Sequence, residues 1–274
     1  MLRKETMNRI NETFRRLKKE GKKAFIPYVA AGDPDMKTTR KIISSLTKAD
    51  ADIIELGIPF SDPLADGPTI QKAIQRSLKA GCTVNKVMDM VRQLRKRGVQ
   101  VPLIFMTYYN IVFNYGISRF ISRAKASGAD GIIVPDLPME ESEELTRVAD
   151  KKDFCVIMLA APTTPPARFR KISKCSRGFI YYVSLTGVTG ARKALSDRLK
   201  SDVKKLKKMT EKPVCVGFGI SNSRQAKDIV RASDGIIVGS VIIKLIEENL
   251  ADKNLLVKKV ETFAGSIAKA VHGA

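Results

Sequence analysis

Two carboxylates in one short segment are the first candidates for proton chemistry. The segment runs Glu55-Leu56-Gly57-Ile58-Pro59-Phe60-Ser61-Asp62-Pro63-Leu64-Ala65-Asp66-Gly67-Pro68. Period-two alternation places Ile53, Glu55 and Gly57 on one side of a strand and Ile54 and Leu56 on the other. If Ile54 and Leu56 pack against helices, Glu55 points inward at a strand tip. Loss of water there raises a carboxyl pKa and suits it to give and take a proton near neutral pH. The same pattern is also met by a Glu neutralised by a buried Lys or Arg. Asp66 has two readings: a second acid of the site, or the N-cap of the helix that carries Ile70, Ala73 and Ile74. Asp62, in Ser61-Asp62-Pro63, reads as an Asx-turn.

Other chemistries are poorly supplied. The single histidine, His272, lies two residues from the end of the sequence and is expected to be a solvated surface group. That leaves no imidazole for a Ser-His-Asp triad or a His-rich metal site. The four cysteines, Cys82, Cys155, Cys175 and Cys215, show no Cys-x-x-Cys spacing and suggest neither zinc nor a disulfide framework. Glycines are better placed. Gly187-Val188-Thr189-Gly190, Gly217-Phe218-Gly219 and Gly239-Ser240 each follow a predicted strand. Backbone amides at such turns and at helix N-termini bind phosphate, and glycine lets the anion approach. Tyr28, Met106, Tyr108, Leu159, Tyr181 and Phe218 lie on predicted strands, where most such residues are core; around a cleft they would hold a flat apolar group.

The elements that must bring these residues together repeat along the chain. Apolar runs rich in Val and Ile cover 24–30, 52–58, 102–108, 131–137, 154–160, 178–184, 213–220 and 235–239. Amphipathic stretches at 36–49, 83–97, 117–127, 140–150, 166–175, 191–210, 221–232 and 240–249 read as helices. Strands apolar on both faces, alternating with helices, indicate a parallel sheet. The even repeat length, and the lack of Gly-x-Gly-x-x-Gly after the first strand, favour an α/β fold of the (β/α)8 TIM-barrel type over a doubly wound sheet. In a barrel all the strand ends meet on one face, where active sites sit. Two connections, 59–67 and 185–194, exceed what a turn needs and are candidate binding loops or lids. Met7, Ile10, Phe14 and Leu17 form one stripe of an extra N-terminal helix.

Length and composition are consistent with this. The 274 residues, 44% hydrophobic, suit one barrel domain spanning 1–274. The first residues lack the apolar core of a signal peptide, and no run reaches a membrane span, so a cytoplasmic location is expected. The net charge of +21 admits nucleic-acid binding. Yet the densest basic stretch, from Arg192 to Lys208, has no interleaved aromatics for base stacking. A lysine-rich surface that steers an anionic substrate is the competing reading.

Taken together these segments resemble the α subunit family of tryptophan synthases. Glu55 to Pro68 is similar to the family's signature segment. Pro27-Tyr28-Val29 with Gly32-Asp33-Pro34, Met106-Thr107-Tyr108-Tyr109-Asn110, Val134-Pro135-Asp136-Leu137-Pro138, Ser184-Leu185-Thr186-Gly187-Val188-Thr189-Gly190, Gly217-Phe218-Gly219-Ile220 and Gly239-Ser240 continue the likeness. The N-terminal helix and the segment after about residue 250 are generic. The resemblance implies retro-aldol cleavage of indole-3-glycerol phosphate, with no cofactor in this subunit. Glu55 would be the principal acid/base, Asp66 the acceptor of the indole N–H, and Tyr181 a neighbour of Glu55. Tyr28, Met106, Asp136, Leu159 and Phe218 would line the pocket. Gly190, Gly219, Gly239 and Ser240 would hold phosphate, and Thr189 would bond Asp66 as the lid closes. It further implies an αββα heterotetramer with a β subunit that uses pyridoxal phosphate, contacted through 59–64 and 110–114. Tyr28, where Phe is common, Leu185, where some members are basic, and Ala161-Pro162, in place of Pro-Pro, depart from the pattern. The alternatives are a stand-alone indole-releasing lyase, a non-catalytic activator of the β subunit and a nucleic-acid-binding barrel.

Overall fold

Eight short strands in a computed structural model pair each with the next, and the last with the first, to close a parallel barrel. The structure describes residues 8–183, 192–217 and 219–274. The chain enters through α1 (Arg9–Lys19) and then follows β1 (Ala24–Ala30), α2 (Met36–Lys48), β2 (Ile54–Gly57), α3 (Pro68–Lys79), α4 (Val84–Lys96) and β3 (Leu103–Met106). Next come α5 (Tyr109–Tyr115), α6 (Ile117–Ser127), β4 (Gly131–Ile133), α7 (Glu143–Asp150), β5 (Cys155–Ala160), α8 (Pro166–Cys175) and β6 (Ile180–Val183). It closes with α9 (Arg192–Lys207), β7 (Val214–Gly217), α10 (Ser223–Val230), β8 (Gly235–Val238), α11 (Ser240–Glu247) and α12 (Lys253–His272).

The alternation predicted for β2 is present. Ile54 and Leu56 join the large cluster between strands and helices, whereas Ile53 faces the barrel interior with Ile26, Ile104, Ile133, Ile157, Phe179 and Ile237. Both faces of each strand are thus buried in apolar surroundings, as a parallel sheet requires. The interior stack is closed at its base by α1, whose Ile10, Phe14 and Leu17 complete the inner cluster. The rings of Phe14 and Phe179 lie 5.7 Å apart. Gly178, at φ +84, makes room for this helix, since a Cβ there would lie 2.9 Å from Ile10 Cγ2. The side chain of Asn8 caps α1 by accepting from the Ile10 amide at 2.9 Å.

Three differences from the sequence reading have clear physical causes. The fourth strand stops at Ile133 rather than 137, because Pro135 and Pro138 cannot donate to a ladder. Residues 109–115, between the predicted strand 102–108 and the predicted helix 117–127, form the short helix α5. His272 is not a free surface group: its side chain is only 19% exposed, and its Nε2 lies 2.8 Å from Asp52 Oδ2. That same carboxylate accepts from Arg16 at 3.0 Å and from the Phe25 amide at 2.9 Å. The helix ending at His272 is therefore clasped to α1 and β1 at the base, away from the strand tips.

Asp130 does comparable work between α4 and β3. Almost fully buried, it accepts from Arg95 at 2.7 Å, Arg9 at 2.9 Å and the Leu103 amide at 2.9 Å. Replacing it by Ala strands the mostly buried Arg95 guanidinium without a counter-charge. Asp130→Ala is expected to cost about 3–5 kcal/mol in urea unfolding, the range for breaking one partner of a buried pair.

Candidate active site

Register carries the functional side chains to one level of the barrel. Tyr28 on β1 pairs with Glu55 on β2, Gly57 with Met106 on β3, and Leu159 on β5 with Tyr181 on β6. Alternation turns these positions inward, above the layer of inner isoleucines. Two glycines create the space. A Cβ on Gly57 would lie 2.2 Å from the Tyr28 hydroxyl, and one on Gly217 would lie 2.6 Å from the Tyr181 ring. No larger residue fits either place while both tyrosines hold these positions.

Glu55 is 1% exposed, and among the described residues neither of its carboxylate oxygens has a hydrogen-bond partner. Buried carboxylates elsewhere in the protein are neutralised. Asp33 is gripped by both nitrogens of an Arg76 fork at 2.8 and 2.9 Å, and Asp52 and Asp130 hold the networks at the base. The alternative of a structural ion pair at Glu55, open from the sequence, therefore has no support among the described residues. Burial, reinforced by the nearby charge of Asp66, pushes its pKa up to about 8. At neutral pH the group is a buried acid ready to donate.

Asp66 is not a helix cap. The N-cap of α3 is Gly67, which makes no side-chain bond, with Pro68 beginning the helix. The Asp66 carboxylate instead accepts from the Tyr108 hydroxyl at 2.7 Å. That hydroxyl in turn accepts from the Ala65 amide at 3.0 Å, and the Asp66 carbonyl accepts from the Gln71 side chain at 2.8 Å. Burial holds the Asp66 carboxyl pKa above its ordinary value, an effect the Tyr108 bond reduces without reversing. The two acids are thus set differently: Glu55 is dry and unpartnered, Asp66 is half-buried and held by a phenol.

Tyr108 is the residue whose role the sequence did not disclose. It appeared only as one strand aromatic among several, although its place at the tip of the third strand was a usable signal. Its ring also stacks at 5.4 Å against Phe60, so one side chain fastens the loop after β2 at two points. Asp136 sits exposed at the end of β4, where both carboxylate oxygens accept from the Tyr109 amide that begins α5, at 2.9 and 3.2 Å. It shapes the rim at that point. Met106, Leu159 and Tyr181 line the interior above the isoleucine layer. Burial, with the charge of Glu55 next, lifts the Tyr181 phenol pKa well above its usual value and keeps it a hydrogen-bond donor.

The N-terminus of α11, just after β8, has no side-chain cap on Gly239, and among the described residues the Ser240 and Val241 amides have no backbone partner. Gly219 and Ser240 are exposed there. Thr189, Gly190 and Phe218, with 185–191 of the expected lid, lie outside the described residues. Among those described, no group of acids, cysteines and histidine is arranged to hold a metal, and no helix is long and apolar enough to cross a membrane.

A model of the family described as tryptophan synthase alpha chain matches residues 14–272. The chain belongs to that family. The match extends through α12, beyond the limit at about residue 250 expected from the sequence. A tryptophan synthase alpha chain from Geotalea uraniireducens (strain Rf4) is 49% identical over 247 residues, which are 90% of this chain and 92% of that one. The Geobacter sulfurreducens alpha chain is 45% identical over 97% of this chain and 99% of its own. The crystal structure of tryptophan synthase subunit alpha from Legionella pneumophila str. Paris superposes with a TM-score of 0.92 at 37% identity, covering 98% of this chain and 100% of that one. A chain from the tryptophan synthase complex of Pyrococcus furiosus gives a TM-score of 0.81 at 36% identity, covering 90% and 99%.

The raised Glu55 pKa makes stability depend on pH with a definite sign. Below its ordinary value of 4.5 the carboxyl is protonated in folded and unfolded chains alike and costs nothing. From there to about 8 only the unfolded chain ionises, so stability falls as pH rises and levels off above about 8. Glu55→Gln removes that loss. Its stability advantage over the parent in urea unfolding should grow from near zero at pH 4.5 to on the order of a few kcal/mol at pH 8.5. An advantage that does not change with pH would show that Glu55 is ionised in the folded chain at neutral pH.

Proposed function

We propose that Glu55 and Asp66 carry out the lyase reaction of this family at the barrel mouth, with Tyr181 as their neighbour. The chain cleaves indole-3-glycerol phosphate to indole and glyceraldehyde 3-phosphate in tryptophan biosynthesis. The observation that carries the assignment is the buried Glu55 carboxyl without a hydrogen-bond partner among the described residues, beside an aspartate fixed by Tyr108. As an acid, Glu55 delivers its proton to C3 of the indole ring. The ring nitrogen becomes positive, and Asp66 accepts its N–H and stabilises that charge. The Glu55 carboxylate then takes the proton of the C3′ hydroxyl. The electrons of the breaking C3–C3′ bond return to the ring, giving free indole and an aldehyde. One proton is given and one regained, so Glu55 ends as it began. Asp66 interacts most strongly once charge has developed, which favours the transition state over the bound substrate.

Tyr28, Met106, Leu159 and Phe218 provide the apolar walls for the flat heterocycle, and Asp136 shapes the glycerol end. The phosphate is assigned to backbone amides of Gly190, Gly219, Gly239 and Ser240, with the positive end of α11 contributing. Thr189, in the sequence after β6, is assigned to bond Asp66 on closure. This chemistry draws on the chain's own residues, and pyridoxal phosphate belongs to the β partner. The partner is the tryptophan synthase β subunit, in an αββα assembly. Leu64, 90% exposed, and Phe113, 63% exposed, stand on the two rim segments expected to meet it. Apolar side chains so placed favour the partnered enzyme over a stand-alone lyase.

An ultraviolet assay of indole release with the β subunit present tests the acid assignments. Glu55→Gln should lower kcat by several orders of magnitude with KM near that of the parent. Asp66→Asn should also lose activity, with an unchanged melting temperature because Gly67 holds the cap position. Activity near that of the parent for Glu55→Gln would reject the mechanism.

Ser240→Asp probes the phosphate site separately. An acid in the first turn favours a helix but repels a phosphate. Binding of glycerol 3-phosphate should weaken more than tenfold by calorimetry with the melting temperature preserved. An unchanged Kd would place the phosphate elsewhere.

A further inference from the structure

Outside the barrel wall, α2, the end of α4 and α12 enclose a cavity of about 360 Å3 whose charge is strongly one-sided. Lys37, Arg40, Lys41, Lys48 and Arg97 line it, against one carboxylate, Glu261. Four of the five cations come from α2, at spacings of three, four and eleven from Lys37, and so share one face of that helix. Like charges at i,i+3 and i,i+4 weaken a helix, so this face is set against the stability of its own element.

These cations differ from several other basic residues whose charge a carboxylate compensates. Elsewhere Lys200 pairs with Asp197 and Asp228, Arg177 with Asp150 and Asp153, and Arg76 with Asp33 and Glu247. Among the described residues none of the five cavity cations is in an ion pair with a carboxylate. Arg40 donates to the neutral amide of Gln93 at 2.5 Å and Lys41 to that of Asn254 at 3.2 Å, which orients both heads without cancelling their charge. The volume suits a small molecule. The lining holds no aromatic ring on which a base could stack, and its apolar part is Val257 with the lysine stems.

We propose that this groove is a second anion site that binds a compact oligophosphate, separate from the phosphate subsite at the barrel mouth. Lys37, Lys41 and Lys48 would supply point charges along one side, and the Arg40 and Arg97 guanidinium groups would take phosphate oxygens in pairs.

Calorimetric titration of the full chain with tripolyphosphate tests this, with excess glycerol 3-phosphate present to occupy the mouth. One-to-one binding should persist. It should weaken at least tenfold in Lys41→Glu with Arg97→Glu, both exposed positions. It should stay within twofold in Lys171→Glu with Lys204→Glu, a control of equal net charge on other helices. Equal weakening in both double variants would assign the effect to the overall field and overturn the proposal. So would abolition by glycerol 3-phosphate, or absence of binding at millimolar tripolyphosphate. A single-stranded oligonucleotide that binds the groove more tightly than tripolyphosphate would overturn it in favour of nucleic acid.

Discussion

A carboxyl group taken out of water without a counter-charge is the constraint around which this barrel is arranged. Isolated burial of an ionised carboxylate is prohibitive, and a protein usually meets it with an ion pair or by letting the group stay protonated. Three buried aspartates take the first course: Asp33 with Arg76, Asp52 with Arg16 and His272, and Asp130 with Arg95 and Arg9. Glu55 takes the second. It remains an acid because apolar side chains, two tyrosines and a second carboxylate surround it and no cation is beside it among the described residues. The residues that build the wall therefore also set the proton affinity of Glu55.

The two acids differ in how the fold supports them. Glu55 rides on a strand whose backbone is paired on both sides, with Tyr28 and Ile104 as its register partners. Its position is as stiff as the barrel. Asp66 belongs to a connection and owes its place to Tyr108, which bonds the carboxylate and the neighbouring amide together. In the proposed mechanism, the group that responds to charge on the substrate is thus mounted on a tethered loop, and the group that delivers a proton to one carbon on the rigid scaffold.

The barrel and the inward-facing side chain of Glu55 were readable from the sequence because both depend on short-range periodicity. Eight runs of Val and Ile alternating with amphipathic stretches specify parallel strands under helices, and the alternation around Ile54 and Leu56 assigns Glu55 its side. What escaped depends on partners far apart in the chain. The Tyr108 hydroxyl finds Asp66 across the gap between two loops, and His272 finds Asp52 across nearly the whole chain. No local pattern encodes either bond. Asp66 before Gly67-Pro68 imitated a cap because the turn chemistry suits one; Gly67 occupies that position, which frees the carboxylate. The α5 helix was missed because it is short, has no side-chain cap and follows directly on a strand whose apolar character runs into it.

The plug formed by Ile10, Phe14 and Leu17 gives the molecule a direction. With the floor of the barrel filled by side chains, a ligand bound above the isoleucine layer has its way in and out through the rim that carries Leu64 and Phe113. A released apolar product is thereby handed toward whatever covers that rim, so traffic through this subunit is one-ended, like a cup pressed against its neighbour.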